Sequence, residues 1–411
     1  MVGITRLLST SAAAALLGGC FLDIDFKGTS FLCESDPTCP AGYTCVDGRC
    51  VEGSGETPDG GGGGGGTPDG GGGGGPVADL AFRRQLTFNN GERGGLDGFP
   101  LMVQLDPTRI EYDAVRADGA DIQFRDADGT TTLPHEIETW NPGGTSILWV
   151  QVPRIDENST ADHVFMYYGN PDVTVEENED AVWTAYRAVY HLNQAGGSEV
   201  DDSTAQNFDG TVVGGAELVE GRVGQAYQFN GTNQYLELGA NRSIVSGVAG
   251  VTAEAWLAPG TLVNPAIALG ISINGGNNSR VQLRVLADLT FNAGARTQDA
   301  GDLLALDGPA VPTEQWTWVA VALDFAGDSI TIYQNGEQAA ATSGLGFAAA
   351  TPDTTSDTSV IGVDENLTQN FWLGRLDEVR LATEPMSADW VSAQFAAMSD
   401  ALVSFGPAEA L

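Results

Sequence analysis

Lysine is almost missing from this chain of 411 residues: Lys27 is the only one, and Lys and Arg together number 18 against 55 Asp and Glu. The net charge of −37 repels nucleic acid and anionic headgroups, which argues against direct binding to either. No apolar run is long enough to cross a bilayer as a helix, which takes about 20 residues. GxSxG, HExxH and strand-borne E-x-D-x-E runs are also absent. The chain therefore lacks the signatures of a serine hydrolase, a zincin protease and a retaining β-glucanase. Glycine runs the other way. Its 55 residues are too many for evenly spread globular structure, so some segment is of low complexity. The acidity itself has two readings, a solvated surface that resists aggregation or oxygen-rich sites for calcium.

Residues 1–19 read as an export signal, with Arg6 ahead of the short run AAAALL and small residues before Cys20. The tetrad LGGC resembles the bacterial lipobox, in which the cysteine receives lipid and becomes the new amino terminus. The resemblance implies a covalent lipid on Cys20 and an exported protein anchored at the outer membrane or cell surface. It touches membrane through those chains alone, each buried methylene contributing about 0.8 kcal/mol. The other four of the five cysteines are Cys33, Cys39, Cys45 and Cys50, within residues 20–52. An even number at short spacing in an exported chain points to two disulfides. Three connectivities are open, with the interleaved Cys33–Cys45 and Cys39–Cys50 favoured. Zinc held by four thiolates is the alternative, although no C-x-x-C pair is present. CPAGYTCVDGRC resembles small epidermal-growth-factor-like modules, and a unit this short needs its bridges to fold.

Residues 53–76 are dominated by polyglycine, which has nothing to pack and the most backbone entropy to lose. Such a linker of about 24 residues has a typical span near 27 Å. From 77 to 180 short strands alternate with turn signals, including RDADGT and NPGG, and predict a β-sandwich. The stretches DGFPLMVQLD, ADIQFRDADGTTTLPHEIETWN, LWVQVPRI and VFMYYGNPD resemble a bacterial module known only as domain of unknown function 2341. The resemblance implies a family and no chemistry. In PHEIETW, alternation sends His135 and Glu136 to opposite faces of a strand. Asp126 and Asp128 read as a hairpin turn.

Residues 181–400 carry many strands, an Asn335–Gly336 hairpin signal, and one short helix that Ser387 can cap ahead of a Trp390, Val391, Phe395 and Met398 stripe. Trp316, Trp318 and Ala320 alternate against Thr317, Val319 and Val321. Long connections between short strands favour a jelly roll; residues 401–411 are left as a tail. AVYHLN, TAEAWL, WTWVAVALDF, ITIYQNGE and WLGRLDEVRLATEPMSADW resemble the laminin-G-like, concanavalin A-like lectin/glucanase family. That resemblance implies binding of glycans or proteins, often with calcium, and hydrolysis of β-glucans in some relatives. Asp202, Asn207 and Asp377 are the candidate calcium ligands. The alternative for them is an Asx-turn loop plus a buried aspartate bonded to backbone amides. Asp377 and Glu378 are neighbours and hence expected on opposite strand faces, and His191 lacks a partner motif. Trp140, Trp183 and Trp372 fill cores or line a sugar site.

The fold class expected is therefore all-β: a β-sandwich and a concanavalin A-like jelly roll behind a lipoprotein signal, a disulfide module and a disordered linker. The function expected is non-catalytic recognition of a glycan or a cell-surface protein. Structural adhesion in the envelope is the first alternative, and a glycoside hydrolase the second.

Overall fold

The computed structural model describes residues 43–46, 49–52, 80–194, 198–238, 244–273, 279–298, 301–352, 358–364 and 366–411. Cys20, Cys33 and Cys39, the export signal and the glycine linker lie outside them. The chain divides into two compact units, 1–73 and 74–411. In the first, strands Tyr43–Val46 and Arg49–Glu52 form a hairpin in which Cys45 stands opposite Cys50. Among the described residues no helix is long and apolar enough to cross a membrane.

The second unit is all-β, built of antiparallel sheets. Strands Leu96–Leu105, Ser146–Ile155 and His135–Thr139 make one sheet of the sandwich. The other contains Phe82–Phe88, His163–Tyr168, Gln123–Arg125 and Thr132–Leu133. Residues 401–411, expected as a tail, instead return to this sheet. Val403–Phe405 and Glu409–Ala410 both pair with Phe82–Phe88. Asp126 opens the turn between Gln123–Arg125 and Thr132–Leu133, and Asp128 accepts from the amides of Thr130 and Thr131.

The jelly roll is two eight-stranded sheets. At the centre of one, Gly250–Pro259 lies between Thr317–Asp324 and Leu373–Ala382. Every residue of Gly250–Pro259 is buried, because both faces of its sheet are covered. Ala253, Ala255 and Leu257 meet Val319 and Val321 in the core between the two jelly-roll sheets. The alternate residues Trp256, Trp318 and Ala320 join a second core, shared with Leu101, Val103 and Trp149 of the sandwich. The helix Ala388–Met398, capped by Ser387 accepting from the Trp390 amide, packs into that same core through Val391. The sheet face that a solitary sandwich would turn to water is here a module joint. Burying it stabilises the joint by about 25 cal/mol per Å² of apolar surface.

Candidate functional site

The covered sheet face is not wholly apolar. At 0% exposure it holds Glu254, Asp377, Glu378 and Arg380. A carboxylate in such a place survives only with partners. Glu378 pairs with the Arg380 guanidinium, whose Nη1 also donates to Gln394 at 3.0 Å. The guanidinium lies 4.3 Å over the Trp149 ring and 4.8 Å over Trp183. Opposite, strand His135–Thr139 contributes Glu136 and Glu138 from the sandwich. His191 sits between the two sets. Its Nδ1 is 2.8 Å from Glu378 Oε1 and 3.6 Å from Glu138 Oε2, and its Nε2 faces Glu136 Oε1 at 3.4 Å. Glu136 accepts from Trp183 Nε1 at 2.6 Å and Ser203 Oγ at 2.9 Å, and Glu138 from Trp149 Nε1 at 2.7 Å.

A β-bulge brings Glu378 into place. Trp256 is opposite Asp377 and Glu254 opposite Arg380, so two residues on one strand face Ala255 alone on the other. Glu378 takes φ 51°, a left-handed conformation that costs a non-glycine residue about 1–3 kcal/mol. The strict alternation that would separate Asp377 from Glu378 is thereby broken.

The environment splits the ionisations of these groups. Burial, seconded by the Glu378 charge, pushes Glu138 up to about 8. Burial also raises Glu254 to about 7, and lifts Asp377 well above the carboxylate range with help from Glu378 and Glu138. Burial opposes charge on His191, but Glu378, Glu136 and Glu138 around it hold its pKa well above the ordinary value. Burial likewise opposes Glu378, yet His191 and Arg380 bring it below the usual range. A carboxylate pair split in this way suits acid–base catalysis in an open cleft. Here the side chains of Glu138 and Glu378 are both 0% exposed.

An open cleft does lie beside the cluster, across the turn 221–224. Its volume is about 670 Å³. Gln104, Thr139, Asn141 and Thr145 line it from the sandwich, and Glu220, Arg222 and Gln225 from the jelly roll. Arg222 stacks 4.9 Å over the Trp256 ring, while its amide and that of Val223 donate to Asp377 Oδ2. Gly224, at φ +53°, is required: a Cβ there would stand 2.7 Å from Glu138 Oε1. A one-turn wall of backbone thus separates cleft from cluster.

Asp202 and Asp377, two of the three expected calcium ligands, are placed apart in role. Asp202 accepts from the Val189, Thr204 and Phe208 amides and the Thr204 hydroxyl, and Asn207 sits at φ 48° in the same loop. Asp377 serves the 221–224 turn. Asp202 and Asp377 thus have the backbone-bonded arrangement weighed against an ion. Among the described residues, three His, Cys, Asp or Glu ligand atoms that all lie within 4.8 Å of one another come from Glu138, His191 and Glu378. Trp183 and Trp372 are buried in cores, and Trp140 is half-buried, edge-on to Tyr112.

Residues 118–208 match the family model described as Domain of unknown function (DUF2341), and residues 230–392 match that of the Concanavalin A-like lectin/glucanases superfamily. A DUF2341 domain thus precedes a concanavalin A-like domain. The buried cluster draws on both: Glu136, Glu138 and His191 fall in the DUF2341 match, and Glu254, Glu378 and Arg380 in the concanavalin A-like match. No curated protein matches the chain. Solved structures similar to it include the binding domain of Paraclostridial Mosquitocidal Protein 1, at 15% identity and TM-score 0.42 over 51% of this chain and 52% of that one. Domain 4 of AbnA, a GH43 extracellular arabinanase from Geobacillus stearothermophilus solved with arabinotriose, matches at 18% identity and TM-score 0.37, over 50% of this chain and 96% of its own. The binding domain of Botulinum Neurotoxin DC in complex with SialylT matches at 10% identity and TM-score 0.42, over 52% of each chain. The chain spans about half the length of the mosquitocidal and botulinum domains.

Proposed function

We propose that this protein is a lipid-anchored surface protein whose paired β domains bind a glycan in the inter-domain cleft without catalysis. The cleft lining carries the reading. Gln104, Asn141 and Gln225 offer amides, Thr139 and Thr145 hydroxyls, and Arg222 a guanidinium on an aromatic base. That set recognises a polyhydroxylated ligand through many directional hydrogen bonds and little apolar burial. A volume of about 670 Å³ falls within the range of small-ligand sites, roughly 300–1,000 Å³. The concanavalin A-like fold supports the same ligand class.

The test is a glycan array with the full chain, with and without calcium because Asp202, Asn207 and Asp377 were the expected ligands. Wild type is expected to bind a defined set, and Asn141→Ala with Arg222→Ala to lose it in a folded protein. A blank array together with specific capture of cell-surface proteins would replace the glycan by a protein partner. Release of reducing sugar from mixed β-glucans would make the protein an enzyme. For the anchor, Cys20→Ser is expected to move the protein from the membrane fraction to the soluble one; retention in the membrane would remove the lipid from the proposal.

A further inference from the structure

The module joint holds more ligand atoms than its own hydrogen bonds use. Glu138, His191 and Glu378 each bring a ligand atom within 4.8 Å of the others, with side-chain exposures of 0%, 3% and 0%. Among the described residues, Oε1 of Glu138 is buried without a hydrogen-bond partner, while His191 turns Nδ1 to Glu378 and Glu138 and Nε2 to Glu136. We propose that these three residues bind a divalent first-row transition ion of the zinc class.

Three observations support the assignment. First, the ligands are oriented from outside. The far nitrogen of His191 faces the carboxylate of Glu136, which Trp183 and Ser203 hold in turn. Glu138 is held by Trp149 and Glu378 by Arg380. A carboxylate behind a histidine is the recurring support for a metal-bound imidazole, fixing its tautomer and raising its basicity. The ring is also clamped by indoles, Trp149 at 5.9 Å and Trp183 at 5.4 Å between centroids. Second, one imidazole nitrogen and two carboxylates suit Zn²⁺ or Mn²⁺, whereas Ca²⁺ takes six to eight oxygens, by the general coordination rules. Third, Glu136, Glu138 and Glu378 all face His191, so an ion that replaces a proton among them keeps the buried carboxylates compensated.

The full chain, stripped by a chelator, is titrated with Co²⁺ and with Zn²⁺ alone. Co²⁺ is expected to give visible d–d bands without a thiolate-to-cobalt band, which separates this site from Cys33, Cys39, Cys45 and Cys50. Zn²⁺ is expected to raise the melting temperature where Ca²⁺ does not. Glu138→Gln keeps the side-chain volume and an acceptor for Trp149, and is expected to weaken the ion by ~100-fold; Glu136→Gln, acting through His191, by ~10-fold or more. A folded wild type with no cobalt bands and no zinc-dependent shift overturns the assignment. So does a spectrum of thiolate character only, or equal affinity in wild type and Glu138→Gln. The wild-type titration needs no variant to fold.

Discussion

The strand His135–Thr139 faces two different solvents. On one side His135 packs 5.7 Å from the Phe124 ring in the sandwich core, with Nε2 unpartnered, and burial drags its pKa down to about 4. On the other side Glu136 and Glu138 meet His191, whose pKa moves the opposite way because carboxylates surround it. The same imidazole is a neutral filler in one place and a charged or ligating group in the other. What separates them is the charge around the ring, since both are buried.

The largest effect expected from breaking this contrast falls on the charged side. Arg380→Met removes the fixed cation from beside Glu378 and Glu254 and leaves Glu378 with His191 alone and Glu254 with the Tyr186 hydroxyl. The cost expected is about 3–5 kcal/mol in denaturant unfolding of the full chain. A loss under about 1 kcal/mol would mean that water reaches the joint and screens it.

His135 comes next, and its sign is opposite to that of a salt-bridged histidine. The unfolded chain takes up the proton below the ordinary value of 6.5, the folded chain only near 4. Stability is therefore present above pH 6.5 and lost as the pH falls towards 4, by about 3 kcal/mol at 1.36 kcal/mol per unit. His135→Leu is expected to remove this share of the acid sensitivity. An unchanged difference in urea midpoint between pH 7 and pH 4.5 would show that His135 is hydrated in the folded state.

The two sides were unequally legible in the sequence. The fold was readable because it rests on local signals. Asn335 and Gly336 take φ 51° and 81° in the hairpin their pairing predicts, and Trp318 and Val319 face different cores as alternation requires. The cluster was not readable by motif. Glu136 and Glu138 belong to no HExxH run, His191 has no partner motif, and alternation puts Glu378 on the strand face opposite Asp377. Glu138 and Glu378 meet His191 across two domains and through a bulge, neither of which leaves a spacing. One signal was available: charges inside near-continuous apolar strands, as in TAEAWL and RLDEVRLA, mark buried groups in need of partners.

The wall between cluster and cleft gives an intermediate effect. Gly224→Ala adds a Cβ at φ +53°, 2.7 Å from Glu138 Oε1 and 2.9 Å from Thr139 Oγ1. A cost of about 1–3 kcal/mol is expected, with the ion site disturbed along with the cleft. A neutral outcome would indicate that the 221–224 turn moves easily, and that the cluster is less sealed than its burial suggests.

The smallest stability effect is expected on the open side, and it isolates function from folding. Arg222 lines the cleft and lies over Trp256, so Arg222→Ala forfeits a cation–π contact of about 0.5–1 kcal/mol and little else, its backbone amide still serving Asp377. Ligand binding in the cleft is expected to fall by ~10-fold or more, the loss of one charge-assisted hydrogen bond at 1.4 kcal/mol per decade. Zinc affinity is expected to stay unchanged in the same variant, because no ligand atom of the buried site belongs to Arg222. A fall in both together would merge cleft and cluster into one site; a fall in zinc affinity alone would place the cluster's entrance, and not the glycan, at Arg222.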